Sequence, residues 1–256
     1  MDYLSINKAS WDKRTDIHLE SSFYDVQSFI NGKCSLNPLE KELLGSVESL
    51  DLLHLQCHFG QDTLSLTRLG AKTTGVDLST KAIDAAKRLS SELCLDANFI
   101  CDDIVQFGEK NDKQFDVVYT SYGVLCWLPD LSQWAKTISN ALKTGGKFVL
   151  VEFHPFNDLL AGYDYFEKQS ADVEKEGTYT ENCDGKESTI VTWSHSVSDV
   201  IQALINAGLE IKQYTESPYS PYDCEQNLQH VVDKGFVKHH KGKLIPQIFA
   251  IQAIKK

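Results

Sequence analysis

The chain has 256 residues, 42% of them hydrophobic, which is enough for one large α/β domain or for a core domain with a cap. Its 36 acidic and 25 basic residues give a net charge of −11, which repels nucleic-acid phosphates and disfavours DNA as a partner. No segment approaches the roughly 18 consecutive apolar residues of a membrane span, so we expect no membrane insertion.

The start of the sequence and its cysteines predict the compartment. The first residues are polar and charged, without the apolar stretch of a secretory signal. The seven cysteines are scattered, odd in number and without CxxC pairs, which is typical of reduced thiols rather than of a disulfide framework. We therefore expect a cytoplasmic protein.

Taken in chain order, residues 1–48 predict two short helices that cap the core. From residue 49, short apolar runs alternate with amphipathic segments, a rhythm that predicts strands joined by helices. The strand candidates are 52–56, 72–77, 97–101, 115–120 and 147–153. The helix candidates between them are 61–69, one capped by Ser79, and one capped by Asp130 that ends at the glycines of residues 143–146.

After residue 154 the alternation stops. Residues 155–195 show no clear period, and we interpret them as an insertion or lid over the site. Residues 196–256 return to the core sheet, with a helix capped by Ser198 and strands at 209–215 and 247–254. The predicted domains are thus a cap (1–48), a core (49–154), a lid (155–195) and the C-terminal part of the core (196–256). The predicted fold is a doubly wound, mostly parallel seven-stranded sheet with helices on both faces and an antiparallel last strand.

Five segments resemble motifs of the class I S-adenosylmethionine (SAM)-dependent methyltransferases. LLHLQCHFG (52–60) resembles the first motif of that family, and Asp77 in TGVDLS matches the acidic residue that ends its second strand. FICDDI (99–104), FDVV (115–118) and LKTGG (142–146) match its third-strand, fourth-strand and glycine-turn motifs. The resemblance covers roughly residues 52–152 and implies a Rossmann-like methyltransferase fold.

The resemblance implies SAM as cofactor and assigns the residues that bind it. Asp77 would bind the ribose hydroxyls, and Asp103 would face the adenine, with Asp102 as the alternative if the register slips by one residue. The remaining cofactor-binding candidates follow the first four strands: Gln56, His58, Gly60, Leu78, Ile104, Thr120 and Ser121.

The first motif departs from the family pattern. Gln56 and His58 stand where the family has glycines, and His54 stands where it has an acidic residue. Glycines there let the backbone approach a ligand, so their loss predicts either an inactive site or side chains that replace the backbone contacts. Only Gly60 is kept, where a helix N-terminus favours a carboxylate. His54, Cys57 and His58 are metal-ligand types, but no further ligand follows at zinc-site spacing, so we expect no metal.

Catalytic candidates follow the fourth and fifth strands, whose ends meet at the ligand-binding edge of such a sheet. Tyr122 comes after strand four, whereas Glu152 and His154 end strand five. A histidine there can act as a general base, since its pKa lies near neutrality. The alternatives are packing for Tyr122 and a strand-end histidine satisfied by the backbone for His154. Trp11, His18 and Tyr24 either close over the cofactor or only pack the cap.

Together these features predict a methyltransferase that acts on a small-molecule acceptor. The Asn/Asp-Pro-Pro-Tyr sequence of enzymes that methylate nucleobase amino groups is absent after strand four. A nicotinamide-dependent oxidoreductase is disfavoured because the G-x-G-x-x-G fingerprint is missing. The alternatives left open are a non-catalytic SAM-binding module and a methyltransferase acting on protein or tRNA.

Overall fold

The predicted alternation forms a seven-stranded sheet in the computed structural model, which describes residues 1–167, 170–225 and 227–256. Two residues of the predicted lid, 168 and 169, lie outside the described part. The strands are, in chain order, β1 (Asp51–Leu55), β2 (Lys72–Asp77), β3 (Asn98–Cys101), β4 (Phe115–Ser121), β5 (Leu142–Phe153), β6 (Asp172–Glu176), β7 (Ser188–Thr192), β8 (Leu209–Ser217), β9 (Gln229–Val231), β10 (Gly235–Val237), β11 (His239–His240), β12 (Lys243–Leu244) and β13 (Ile248–Lys255).

Three helices precede this sheet in the chain, and the others follow its first strand. They are α1 (Tyr3–Leu19), α2 (Val26–Ile30), α3 (Pro38–Leu44), α4 (Gln61–Arg68), α5 (Thr80–Glu92), α6 (Ile104–Lys110), α7 (Leu131–Ala141), α8 (Phe156–Ala161) and α9 (Val197–Asn206), with a 3₁₀ turn at Leu125–Trp127. Among the described residues, no helix has both the length and the apolar character needed to cross a membrane.

The sheet has the strand order β3-β2-β1-β4-β5-β13-β8. Strands β1 to β5 pair in parallel, whereas β13 lies antiparallel between β5 and β8. The predicted fold class is therefore confirmed, including the antiparallel last strand. Because β1 to β4 run in the same direction, their carboxyl ends meet at one edge, where ligands bind in open α/β sheets.

Each face of the sheet has its own core. Successive residues of a strand point to opposite faces, so Leu52 packs with α3 and α4 while Leu53 packs with α6, α7 and α9. Both leucines are fully buried, as is Trp134 of α7. Burying one such side chain stabilises the fold by about 1.5–3 kcal/mol.

The first 48 residues differ from the prediction, because they form three helices rather than two. The 17-residue helix α1 was missed, since its buried side is largely polar and gives no apolar period. The segment 155–195 is also more ordered than its sequence indicates. It contains α8 and a β6–β7 hairpin, and β7 packs against α1.

Two predicted helix ends are also shifted. Helix α7 ends at Ala141, with Leu142 in an extended conformation, so the glycines of residues 143–146 lie in the irregular start of β5 rather than at a helix cap. Helix α9 is capped by Ser196, which forms a capping box with Asp199, and not by Ser198. The capping box explains the shift, since it satisfies two otherwise free backbone donors.

Phe99 of β3 explains why Gly60 is retained. A Cβ atom on Gly60 would lie 2.7 Å from Phe99 Cε1, and one on Gly75 of β2 would lie 2.9 Å from the same ring. Gly60 also has a φ of +80°, which side chains rarely adopt. The phenyl ring thus occupies the space that the two glycines leave, which packs α4 closely on the sheet.

We expect Gly60→Ala to destabilise the fold by about 2–5 kcal/mol, because it adds a clash with Phe99 to the cost of the left-handed backbone. Gly145→Ala is the matched control, since Gly145 has a φ of +78° but nothing within 4 Å of its would-be Cβ. It should cost only about 1–2 kcal/mol. Urea unfolding measures both, and equal losses would contradict the packing role of Gly60.

Candidate functional site

A cavity of about 720 Å³ opens at the carboxyl ends of β1 to β4. Its size falls within the roughly 300–1,000 Å³ of small-molecule sites. Most of the residues predicted from the sequence line it, namely Gln56, His58, Gly60, Asp77, Leu78, Asp103, Ile104, Ser121 and Tyr122. Thr120, Glu152 and His154 do not belong to this lining.

The turn after β1 keeps a glycine-type backbone without the glycines. Gln56 and His58 have φ angles of +55° and +51°, and Gly60 follows with +80°. Each non-glycine residue in this region costs about 1–3 kcal/mol. Hydrogen bonds offset part of that cost, since Gln56 Nε2 donates to the carbonyl of Val124 (2.8 Å) and the His58 amide donates to Asp77 (2.8 Å).

Asp77, at the end of β2, fixes the conformation of this turn by hydrogen bonding. One of its oxygens accepts the His58 amide and the other accepts the Ser79 amide at 2.8 Å. Burial raises the pKa of Asp77 to about 6, although the two amide hydrogen bonds oppose this rise. The carboxylate is therefore ionised above neutral pH and lines the cavity beside Leu78.

The His58 side chain turns towards helix α1. Its Nε2 and His18 Nδ1 are 2.8 Å apart, and the other nitrogen of His18 hydrogen-bonds to Thr178 in the segment before β7. Burial lowers the pKa of His18 to about 3 and that of His58 well below its ordinary value, so both rings are neutral. The Trp11 ring packs 5.3 Å from His58. A chain of contacts thus joins the turn, the N-terminal helix and the 155–195 segment.

Arg14 is a cavity residue that sequence reasoning missed. It is 4% exposed, donates to Glu176 (2.7 Å) and to the Gly177 carbonyl (3.1 Å), and lies 5.6 Å from the rings of Trp11 and Trp127. Its Nε is buried without a hydrogen-bond partner among the described residues. One signal was available, because the cavity-facing positions 4, 7, 11 and 14 follow one face of a helix.

At the end of β3, the structure favours Asp103 over Asp102. Asp103 lines the cavity and also caps α6 by accepting the amides of Val105 and Gln106. Asp102 instead pairs with Lys110 at 2.8 Å. The capping role was not predicted, and it leaves the second oxygen of Asp103 without a hydrogen bond among the described contacts.

Thr120 does not reach the cavity, which corrects its assignment as a cofactor contact. It is fully buried, and its hydroxyl donates to the Leu55 carbonyl at 3.1 Å, so it joins β4 to β1. Side chains alternate along a strand, which leaves the next residue, Ser121, on the cavity wall. Tyr122 follows with a φ of +47° and also lines the cavity.

Glu152 shapes the cavity without lining it. Its carboxylate accepts the backbone amides of the loop after β4 and of its own neighbour, at 2.5–3.1 Å: Gly123, Val124, Leu125 and Phe153. Burial raises the pKa of Glu152, while these hydrogen bonds oppose the rise. Glu152 is therefore a positioning residue for the loop that carries Tyr122, rather than a group that meets a ligand.

The structure does not bring His154 to the cavity. Its Nδ1 accepts the Phe156 amide at 3.2 Å and its Nε2 lies 3.2 Å from Glu216. Both ring nitrogens are thus engaged, and burial lowers its pKa. The position fits the strand-end alternative rather than a general base. The remaining histidine of the first motif, His54, hydrogen-bonds to Thr63 at 2.8 Å, and no cluster of potential metal ligands occurs among the described residues.

Comparisons with known proteins agree with this architecture. Residues 53–150 match the family described as a methyltransferase domain. The chain is 23% identical over 224 residues to a ubiquinone biosynthesis O-methyltransferase of Pseudoalteromonas translucida, covering 85% of this chain and 89% of the relative.

Two solved structures share the fold. A SAM-dependent methyltransferase from Clostridium acetobutylicum superposes with a TM-score of 0.59 at 18% identity, covering 97% of this chain and 98% of the other. Magnesium protoporphyrin IX methyltransferase from Synechocystis, solved with S-adenosylhomocysteine, gives 0.56 at 13% identity, covering 100% of both chains.

We expect Glu152→Gln to destabilise the protein by about 2–4 kcal/mol, because an amide cannot accept all four backbone donors and leaves some of them buried and unsatisfied. His154→Ala is the comparison, since His154 makes only two hydrogen bonds of 3.2 Å and should cost about 1–2 kcal/mol. Thermal and urea unfolding measure both variants. A loss for Glu152→Gln no larger than that for His154→Ala would contradict the positioning role of Glu152.

Proposed function

We propose that this chain, which belongs to the class I SAM-dependent methyltransferases, transfers a methyl group from SAM to a small-molecule acceptor. The observation that carries the proposal is the meeting of Asp77, Asp103 and the turn after β1 on one cavity of about 720 Å³. The ubiquinone biosynthesis O-methyltransferases among its relatives favour a small acceptor.

The polar atoms of the cavity fit a ligand like SAM. Asp77 has lone pairs left over for the ribose hydroxyls, and Asp103 has a free oxygen for the adenine amino group. Gln56 Oε1, His58 Nδ1 and Arg14 Nε are buried without hydrogen-bond partners among the described residues. Buried polar atoms are normally satisfied, so these three indicate a polar ligand near the turn.

SAM supplies an electrophilic methyl group on a sulfonium. The work left to the protein is to hold the acceptor in line with that group and to exclude water. Helix α1, the loop that follows it and the segment before β7 provide the cover through Trp11, Tyr24 and Tyr179, which line the cavity with Trp127. Ser121 and Tyr122 lie at the edge where the acceptor would meet the methyl group.

DNA remains disfavoured as the acceptor because the chain is acidic overall. A non-catalytic SAM-binding module is the second candidate, favoured by the loss of two motif glycines. Turnover separates the two candidates, whereas cofactor binding alone does not. The test is to incubate a metabolite extract with methyl-labelled SAM and the protein, and to search for labelled products by mass spectrometry.

We expect labelled small molecules to form, and calorimetry to detect binding of SAM and S-adenosylhomocysteine but not of NAD. Binding without any labelled product would favour the non-catalytic module. Tighter binding of NAD than of either SAM species would contradict the assignment of the cofactor.

Asp77→Ala should weaken S-adenosylhomocysteine binding by roughly 10- to 100-fold, since a hydrogen bond to a charged group contributes about 1.5–3 kcal/mol. Asp77→Asn should lose less. If the folded variants, checked by circular dichroism, bind like the parent, the ribose assignment fails.

In the parent, affinity for S-adenosylhomocysteine should fall as the pH drops below about 6, where Asp77 takes up a proton. The pKa of Asp77 is raised above its ordinary 3.8, so its protonation stabilises the fold, and weaker binding at pH 5.5 would not reflect unfolding through this group. Calorimetry from pH 5 to 8 measures the effect. An Asp77→Asn protein should lack this pH step, and a step of equal size in that variant would assign it to another group.

His154→Ala should keep turnover within about threefold of the parent, rather than lose the 10²- to 10⁴-fold expected for a general base. Initial rates on the acceptor found in the extract measure this. A loss of 100-fold with unchanged cofactor affinity would restore His154 as a base.

A further inference from the structure

The cavity extends beyond the residues assigned to SAM into a second region, which we call the far lobe: Ser35, Asn37, Asp62, Tyr122 and Tyr222. The lobe has an ordered wall, since Asn37 Nδ2 donates to the Tyr222 hydroxyl at 2.9 Å and the rings of Tyr122 and Tyr222 pack at 5.1 Å. It lies beside the end of β4, next to the place expected for the methyl group.

Two carboxyl groups lie close together at this lobe. Asp62, in the first turn of α4, lines it, and Glu40 of α3 lies behind with no exposed surface. Burial, and then the charge of Asp62, raises the pKa of Glu40 to about 8. Burial likewise raises the pKa of Asp62, while a hydrogen bond from Ser35 opposes the rise.

Neither carboxyl group has a cationic partner among the described residues. Two other acids on the cavity wall do, since Glu176 pairs with Arg14 and Asp25 pairs with Lys33, whereas Asp77 and Asp103 are held by backbone amides instead. A buried carboxylate without a counter-charge is costly, so the pair retains a proton near neutral pH when no cation is bound.

Two tyrosine hydroxyls lie near the acid pair. Both are buried and make no well-aligned hydrogen bond among the described residues, although the hydroxyl of Tyr122 faces Glu40 and that of Tyr119 faces Ser121. Tyr119 has no exposed surface. Burial, followed by the charge of Glu40, raises the pKa of both phenols, so they are neutral and face an acidic environment. Of the two, Tyr122 lines the cavity, so its hydroxyl is placed to hydrogen-bond a polar ligand there.

Aromatic rings complete the lobe. Phe153 packs 5.4 Å from Tyr122, and Phe23 packs 5.2 Å from Tyr222, and all four line the cavity. Faces of such rings attract cations, by about 0.5–2 kcal/mol or more where water is excluded. Unpaired acids beside aromatic rings therefore favour a cation over an anion or a neutral hydroxyl.

We propose that the far lobe is the acceptor subsite and that it recognises an acceptor carrying a protonated amine. The ammonium group lies against Asp62 and the rings of Tyr122 and Tyr222, with Glu40 as the second negative charge. The proposal rests on the proposed function, because it identifies the acceptor class of that same site. It follows that amine binding displaces the proton that the acid pair holds, and that amine affinity rises as the pH approaches about 8, the pKa of Glu40.

The test uses full-length protein saturated with S-adenosylhomocysteine, so that the cofactor site is already filled. Benzylamine and phenethylamine are titrated at pH 7.5 against benzyl alcohol and phenethyl alcohol, in two buffers of different ionisation enthalpy. We expect the amines to bind at least about tenfold more tightly than the alcohols, and to release protons, seen as a buffer-dependent heat. No amine binding at millimolar concentration, or equal affinities for amine and alcohol, would overturn the proposal.

Asp62→Asn should abolish the preference for amines and the proton release while leaving S-adenosylhomocysteine affinity within about twofold. Asp84→Asn is the matched control, since Asp84 lies exposed on α5 and removes the same charge far from the lobe. It should bind amines like the parent. If Asp62→Asn keeps the amine preference, the subsite is wrong.

If Asp62→Asn weakens S-adenosylhomocysteine by tenfold, the pair serves the cofactor instead and the proposal is overturned. Failure of the proposed function is distinguishable, because it would appear as a loss of S-adenosylhomocysteine binding or as an absence of labelled product with the parent. Failure of the subsite alone would leave both intact and remove only the preference for amines.

Discussion

The left-handed turn after β1 is the constraint on which the rest of the site depends. Gln56, His58 and Gly60 must all take positive φ angles so that α4 can start immediately below the cavity. Gly60 is irreplaceable because Phe99 fills the space beside it. The first two positions lack such a neighbour, and they tolerate side chains that make contacts elsewhere. Histidine is among the residues that enter this region most readily, which makes His58 less costly than a branched residue would be.

That substitution couples the turn to the cover of the cavity. A glycine at position 58 would remove the side-chain hydrogen bond between the turn and α1. The histidine makes this bond to His18, which in turn hydrogen-bonds to Thr178. Both rings are held neutral by burial, so the link is a hydrogen bond rather than an ion pair. Helix α1 accordingly has buried polar residues on the face that a soluble helix would normally fill with apolar ones. Much of this polar face is explained by hydrogen bonds to the β6–β7 segment, such as those of Asn7 to Val191, Ser10 to Ser188 and Arg14 to Glu176.

These features explain what the sequence could and could not predict. The apolar runs predicted the strands of the seven-stranded sheet within one or two residues of their bounds, except that β5 begins at Leu142 instead of at residue 147. Burial on both faces leaves a strong hydrophobic signal in such strands. Helix α1 gave no such signal, since its buried face is polar. Thr120 and Glu152 lie at the strand ends where they were predicted, but their side chains do not line the cavity. One residue of register decides whether a side chain faces the cavity or the neighbouring strand. The partners of His154 come from positions distant in the chain or from local backbone, which spacing cannot predict.

The carboxylates at this edge of the sheet differ in how completely the protein satisfies them, and this difference sorts their roles. A carboxylate has about four acceptor sites. Glu152 uses all four on backbone amides and is left as scaffold. Asp77 and Asp103 each accept two amides, so each keeps capacity for ligand donors while its position is fixed. Asp62 has no backbone donor among its described contacts, and so it depends most on what enters the cavity. The number of hydrogen-bond donors that the chain supplies to each carboxylate therefore separates the carboxylates that hold the site together from those with acceptor sites left for a ligand. Residue type and sequence position alone do not make this distinction.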